Sequence, residues 1–135
     1  MILITGGAGF LGSHLAERLL VLGHDVLVLD DLSTGQMANL AGLVGKRRFA
    51  YRIGSVTDRP LVAELVARRH LHLSAAVGVR LIIERPVHTI ETNVHGPEIV
   101  LACAAKKEKR VIVASTSEVY GKGTKVPTTS GLPVQ

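Results

Sequence analysis

Glycines recur at every third residue near the start of the chain, at Gly6, Gly9 and Gly12. Gly9 has no Cβ, so a pyrophosphate can approach the backbone there, and Gly12 lets a following helix pack closely on the strand before it. The amides of Phe10 and Leu11 would lie at the N-terminus of that helix, where the partial positive charge favours an anion. The spacing predicts binding of a nucleotide's phosphates, and the alternative is a glycine-rich turn without a ligand.

The residues on either side of these glycines fit the strand–loop–helix context that a dinucleotide fingerprint requires. Residues 2–4 are apolar and typical of a short buried strand. Gly6 or Gly7 would then adopt a positive φ in the tight turn. A helix over about residues 10–22 is predicted by a stripe of leucines at Leu11, Leu15, Leu19 and Leu22.

An acidic pair follows the second predicted strand, which covers the apolar residues 26–29. Asp30 lies 18 residues after Gly12 (30 − 12), close to the spacing of the acid that accepts hydrogen bonds from an adenosine ribose. A carboxylate there would repel a 2′-phosphate, so NAD is favoured over NADP. The alternative is that Asp30 only begins a loop.

The rest of the chain alternates predicted helices and strands, with Thr57 or Asp58 capping one of the helices. The predicted elements are a weak helix over 36–44, a strand over 48–53, a helix ending near 69, a strand over 70–76, a helix over 86–106 and a strand over 111–114. This alternation predicts an α/β fold, a Rossmann-type doubly wound parallel sheet with strand order 3-2-1-4-5 that ends after its fifth strand. We predict an NAD-binding domain over 1–120 and an irregular tail over 121–135.

Composition narrows the class of protein. The 135 residues suggest one domain with an aliphatic core, because 47% are apolar and 3% aromatic. Cys103 is the one cysteine, so no disulfide framework is predicted, and no cluster has metal-ligand spacing. No membrane span or signal peptide is visible, which favours the cytoplasm. We interpret the net charge of +5 as basic side chains on a solvated surface. Nucleic-acid binding is not favoured, because the basic clusters lack interleaved aromatic residues.

Several further motifs occur together with the glycines and the acidic pair. They lie at residues 5–12, 30–35, 54–58, 72–78, 92–96 and 115–121. With them the chain resembles the extended short-chain dehydrogenase/reductases, the NAD-dependent nucleotide-sugar epimerase/dehydratase family. The resemblance covers residues 1 to about 127 and corresponds to the N-terminal part of that family. Its members are more than twice as long.

The resemblance implies a set of residues around NAD, from the pyrophosphate to the nicotinamide ribose. They are Gly6, Gly9, Phe10, Leu11, Gly12, Asp30, Asp31, Thr34, Gly35, Ser55, Val56, Leu73, Ser74, Ala75, Asn93 and Ala114. It also implies catalytic roles: Thr116 would hydrogen-bond the 4-hydroxyl of a nucleotide sugar, and Glu118 stands where dehydratases and decarboxylases carry an acid or base. Because dehydratases have Asp where Ser117 stands, the triplet is most similar to that of the UDP-glucuronate decarboxylases.

The chemistry that the resemblance implies is hydride transfer at the sugar C4, through a 4-keto sugar that decarboxylates, eliminates or rotates. The family's tyrosine base and its lysine form a Tyr-x-x-x-Lys pair, and this chain has none. Its tyrosines, Tyr51 and Tyr120, are followed at the fourth position by Ser55 and Thr124. Pro97 also falls inside the predicted long helix, at a cost of about 3 kcal/mol.

These departures leave more than one hypothesis. In the first, the chain is the cofactor-binding part of an NAD-dependent nucleotide-sugar enzyme, present as a truncated or frameshifted copy. In the second it is a non-catalytic NAD-binding module, and in the third it is an inactive remnant. An apolar fifth strand at the end of the sheet would expose unpaired backbone groups. We therefore expect self-association or pairing with a full-length homologue.

Overall fold

The computed structural model describes residues 1–67 and 91–114, where strands and helices alternate as predicted. The elements are β1 (Ile2–Thr5), α1 (Phe10–Val21), β2 (Val26–Asp30), β3 (Phe49–Ile53), α2 (Arg59–Ala67) and α3 (Gly96–Ala105). A turn of 3₁₀ helix (Met37–Leu40) lies between β2 and β3, and a turn of π-helix (Glu91–His95) precedes α3.

The strands form a parallel sheet in the order β1-β2-β3. Val26 of β2 lies opposite Ile2 on one side and opposite Phe49 on the other. The central strand β2 is buried along its whole length, and β3 is mostly exposed. The parallel Rossmann-type architecture is confirmed, and this sheet corresponds to the 3-2-1 part of the predicted strand order. The predicted fourth strand over 70–76 lies outside the described residues.

Side chains that alternate along the strands build a core on each face of the sheet, as a period of two residues requires. On one face Ile4 and Val28 pack with Ala16 of α1 and with the buried leucines Leu40 and Leu43. The other face packs against α2 and α3 in a cluster that contains Leu3, Leu29, Val62, Val66 and Val100. Helices therefore cover both faces, which is the doubly wound arrangement.

The ends of α1 and α2 follow from local sequence. Gly23, just after α1, has φ +83° and donates its N–H to the Leu20 carbonyl, which closes the last turn. Asp58 caps α2 because its Oδ1 accepts the Leu61 N–H at 3.1 Å. Of the two predicted caps, Asp58 rather than Thr57 thus makes this bond.

The predicted helix over 36–44 is wrong in length and type. Only Met37–Leu40 is helical, and it is a 3₁₀ turn. The chain then turns through Gly42 to Gly45, which has φ +86°. The buried side chains of Leu40 and Leu43 fix these turns against the sheet.

The predicted fifth strand over 111–114 is absent from the structure, where these residues form no strand. In the predicted order this strand would pair with the fourth, whose residues lie outside the described part of the chain. Ile112 and Val113 are about half exposed instead, while Val111 packs against the core cluster under α2 and α3.

Pro97 does not lie in the interior of a regular α-helix, contrary to the prediction. It occupies the first turn of α3, directly after the π-helical turn Glu91–His95. A proline there removes an N–H that has no α-helical acceptor, and its fixed φ suits the helix start. The predicted cost of about 3 kcal/mol therefore does not apply at this position.

Cys103 of α3 is 8% exposed and belongs to the core cluster that also contains Val62 and Val100. Among the residues that the structure describes, no helix has the length and apolar character needed to cross a membrane. The cytoplasmic location stays a prediction. The predicted tail over 121–135 lies outside the described residues.

Candidate functional site

The loops that follow the parallel strands β1, β2 and β3 meet at one edge of the sheet. Gly6, after β1, donates its N–H to the Leu29 carbonyl at 2.9 Å. Gly54, after β3, donates its N–H to the Asp30 carbonyl at 3.0 Å. The backbone of β2 thus holds both neighbouring loops, and Asp30 lies between them.

The tight turn after β1 uses Gly6, which has φ +65°. Of the two glycines that the sequence allowed for this role, Gly7 serves a different purpose. A Cβ on Gly7 would lie 2.5 Å from Cγ2 of Val28, so this glycine lets the loop cross closely over β2. The Gly9 N–H donates to the Gly6 carbonyl at 3.1 Å and closes the turn.

Gly12 permits a close approach, but the partner differs from the predicted one. A Cβ on Gly12 would lie 2.4 Å from the Gly6 carbonyl oxygen and 2.6 Å from the Gly7 Cα. The first turn of α1 therefore packs on the glycine loop itself rather than on β1. The reason is that the backbone of Gly6 and Gly7 lies against the start of the helix at Gly12.

The N-terminus of α1 carries no side-chain cap, since its N-cap residue is Gly9. The Ser13 N–H donates to the Gly9 carbonyl at 3.0 Å, and this is the bond with which the helix begins. The preceding amides, on Phe10, Leu11 and Gly12, have no acceptor within the helix. They are the groups that a bound phosphate would use, at the positive end of the helix dipole.

Asp30 is 8% exposed and binds backbone amides with both carboxylate oxygens. Oδ2 accepts the Ala8 N–H at 2.8 Å, and Oδ1 accepts the Leu32 N–H at 2.8 Å. A Cβ on Gly35 would lie 2.8 Å from Oδ1, so that glycine gives the carboxylate room. Each oxygen keeps a second lone pair, so the carboxylate can still accept hydrogen bonds from ribose hydroxyls.

The segment after Asp30 is strained at one residue. Leu32 has φ +60°, a conformation that costs a residue with a Cβ roughly 1–2 kcal/mol. Its bond to Asp30 and its packing against the core hold it there. Asp31 accepts the Ser33 N–H at 3.0 Å, and the predicted site residue Thr34 is exposed next to this turn.

The backbone carbonyl of Ala8, inside the glycine loop, is also held by hydrogen bonds. The Asn39 side-chain amide donates to the Ala8 carbonyl at 2.7 Å, and the Gln36 backbone N–H donates to it at 3.1 Å. Sequence reasoning missed Ala8 and Asn39. An alanine carries no chemical signal, and Asn39 lay in a predicted helix 31 residues from its partner.

The loop over 54–58 contains Ser55 and Val56, which the family resemblance implies beside the adenine of NAD, and it is also ordered by local bonds. The Ser55 and Thr57 hydroxyl oxygens are 2.8 Å apart, and Ser55 Oγ accepts the Thr57 N–H at 3.2 Å. The Val56 side chain is buried, and a Cβ on Gly96 would lie 2.6 Å from it. Val56 could therefore border an adenine through its backbone only.

The structure brings together part of the predicted site, namely the glycine loop, Asp30 and Gly35. Asn93 lies in the π-helical turn before α3, and Ala114 is the last residue of the second described range. Their roles stay predictions, as do those of residues that lie outside the described part of the chain, which are Leu73, Ser74, Ala75, Thr116 and Glu118.

The described residues fit the adenosine diphosphate half of NAD. The amides at the start of α1 have no side-chain cap, because the N-cap residue is Gly9. The Asp30 carboxylate lies beside the same loop. Within 1–67 and 91–114, no group of His, Cys, Asp or Glu could hold a metal ion.

Comparison with known proteins finds relatives that are nucleotide-sugar enzymes by name. A model of the NAD dependent epimerase/dehydratase family matches residues 2–135. The UDP-N-acetyl-alpha-D-glucosaminuronate decarboxylase of Bacillus cytotoxicus is 44% identical over 124 residues, which are 90% of this chain and 38% of that protein. UDP-glucuronic acid decarboxylase 1 of Danio rerio is 38% identical over 120 residues, 89% of this chain and 28% of that protein.

A solved structure shares the fold over nearly the whole chain. It is DesIV, a dTDP-glucose 4,6-dehydratase from Streptomyces venezuelae, crystallised with NAD and TYD bound. Its TM-score is 0.83 at 34% identity, over 99% of this chain and 45% of that one. The chain thus spans less than half of the length of each of these relatives.

Proposed function

The chain belongs to the NAD dependent epimerase/dehydratase family, and on that premise we propose that it is the NAD-binding part of a nucleotide-sugar epimerase, dehydratase or decarboxylase. The observation that carries the proposal is the uncapped start of α1 beside the buried carboxylate of Asp30. NAD is the cofactor of the family, and the neighbouring structure of DesIV contains it.

In this proposal each group in the loop has a separate task. The amides of Phe10 and Leu11 bind the pyrophosphate, and Gly9 leaves it room to reach the backbone. Asp30 accepts hydrogen bonds from the adenosine ribose with its remaining lone pairs. When bound, NAD would take a hydride from C4 of the sugar and later return it.

Within this family we favour decarboxylation of a UDP-sugar acid. The Bacillus and Danio relatives are decarboxylases by name. The triplet Thr116-Ser117-Glu118 supports the same choice, because it is most similar to that of the UDP-glucuronate decarboxylases. Epimerisation and dehydration at the same 4-keto stage stay as the alternatives.

The 135 residues contain no Tyr-x-x-x-Lys pair. A base for the 4-hydroxyl would have to come from chain beyond these residues or from a partner. A non-catalytic NAD-binding module is therefore the second candidate function, and an inactive remnant is the third.

A calorimetric titration of the chain with NAD and with NADP tests the proposal. We expect NAD to bind about tenfold or more tightly than NADP, because a 2′-phosphate would face the carboxylates of Asp30 and Asp31. Circular dichroism during heating checks that the chain melts cooperatively. A folded chain that binds neither nucleotide would refute the proposal, and a chain without a cooperative transition would favour the inactive remnant.

We also propose that the chain associates with a second copy or with a full-length homologue. The support is exposed apolar surface at the sheet edge, where Tyr51 and Ile53 of β3 are 41% and 57% exposed, and on the half-exposed Ile112 and Val113. Light scattering at increasing concentration should show a rising mean mass. A constant monomer mass up to high concentration would contradict this proposal.

A further inference from the structure

The backbone of Ala8 in the glycine loop is held at both its N–H and its carbonyl by residues distant in the sequence. Its N–H donates to Oδ2 of Asp30 at 2.8 Å. Its carbonyl oxygen accepts the side-chain amide of Asn39 at 2.7 Å and the backbone N–H of Gln36 at 3.1 Å. The peptide lies one residue before Gly9, where the predicted phosphate-binding turn enters α1.

The orientation of the Asn39 amide is fixed by its partner. A carbonyl oxygen has no proton to donate, so the NH₂ group of Asn39 and not its oxygen must face Ala8. This hydrogen bond is not part of a local turn, because it joins positions 31 residues apart. It ties the 3₁₀ turn Met37–Leu40, which contains Asn39, to the loop.

We propose that Asn39 is a positioning residue for nucleotide binding, which holds the Ala8 peptide so that the amides at the start of α1 point to a bound pyrophosphate. This inference rests on the proposed function. In this inference Asn39 acts on the phosphates through the loop and does not act on the base.

The variant Asn39→Ala tests the inference against ligands that differ in their phosphates. We expect the Kd for ADP and for NAD to rise about five- to tenfold, which is the effect of one lost hydrogen bond. The Kd for adenosine, which has no phosphate, should change by less than about twofold. Calorimetry measures the first two, and an NMR titration measures adenosine.

Two further variants make the result specific. Asn39→His keeps an N–H at the position of the Asn39 amide nitrogen, so it should restore much of the ADP affinity. Gln36→Ala removes a neighbouring amide side chain but keeps the backbone bond to Ala8, so it should bind ADP like the unaltered chain. Equal weakening for ADP and adenosine in Asn39→Ala would show a merely structural role and overturn the inference.

Amide hydrogen exchange in the ligand-free chain separates this inference from the proposed function. Asn39→Ala should speed exchange of the Ala8 and Gly9 amides about tenfold, while amides of the central strand β2 keep their rates. If the unaltered chain binds no ADP, the proposed function fails but the exchange experiment still decides the role of Asn39. Unchanged exchange at Ala8 and Gly9 would overturn it.

Discussion

Gly12→Ala is expected to lower the free energy of unfolding by about 3 kcal/mol and to weaken NAD binding by at least about a hundredfold. The added Cβ would lie 2.4 Å from the Gly6 carbonyl oxygen and 2.6 Å from the Gly7 Cα. Both are backbone atoms in a turn that cannot shift alone. The first turn of α1 must therefore move away from the loop, and its amides lose their direction. Urea unfolding and calorimetry measure the two effects.

Gly9→Ala should behave differently, because an added Cβ at Gly9 has one backbone contact, and that contact is longer than those at Gly12. Its φ of −76° suits any residue, and an added Cβ meets only the Gly6 carbonyl oxygen, at 3.2 Å. We expect a loss of stability of about 1 kcal/mol or less. NAD binding should still weaken about tenfold or more, since the methyl group occupies the approach of the pyrophosphate.

Gly42→Ala is the matched control for both variants. An added Cβ on Gly42 has no atom within 4 Å, so its free energy of unfolding should stay within about 0.5 kcal/mol of the unaltered chain. If Gly12→Ala were as harmless as Gly42→Ala, the close packing of α1 on the loop would be wrong. If Gly9→Ala bound NAD normally, the phosphate would not approach the backbone at this glycine.

Asp30→Asn is expected to lower the free energy of unfolding by about 2–3 kcal/mol. The carboxylate accepts two backbone amides, from Ala8 and Leu32, and it is nearly buried. An asparagine has one oxygen, so its NH₂ group must face one of these two N–H donors. A buried donor then loses its partner, and Leu32 loses part of what holds it at positive φ.

Asp31→Asn gives the control for charge at this edge of the sheet. Asp31 accepts one exposed backbone amide, from Ser33, and asparagine keeps an oxygen in that place. Its free energy of unfolding should change by less than about 0.5 kcal/mol. Chemical denaturation compares the two variants at equal net charge. Equal stabilities would mean that the bonds of Asp30 to the loops contribute nothing to the fold.

The parts of the fold that were predicted correctly depend on short-range patterns. The apolar runs before Gly6 and before Asp30 lie within single strands; β1 ends just before Gly6, and β2 ends with Asp30 itself. The cap at Asp58 is a contact with Leu61, three positions later. Residue type and spacing carry this information, so these elements and the glycine loop follow from the sequence.

The parts that failed depend on contacts that span many residues or on pairing with another segment. The bond from Asn39 to Ala8 joins a side chain to a backbone carbonyl, which has no residue type to recognise. The strand over 111–114 needed a partner strand, and apolar character alone could not supply one. Pro97 was judged against an unbroken α-helix, although the helix type changes one residue earlier.

Cys103 is a built-in probe of local opening in this chain. It is the one thiol in the sequence, and it is covered where α3 packs on the sheet. Within the described residues α3 packs against α2, so the rate at which a thiol reagent labels Cys103 reports the free energy of opening this part of the core. No added probe is needed, and a nucleotide that binds only while α3 is packed would slow the labelling.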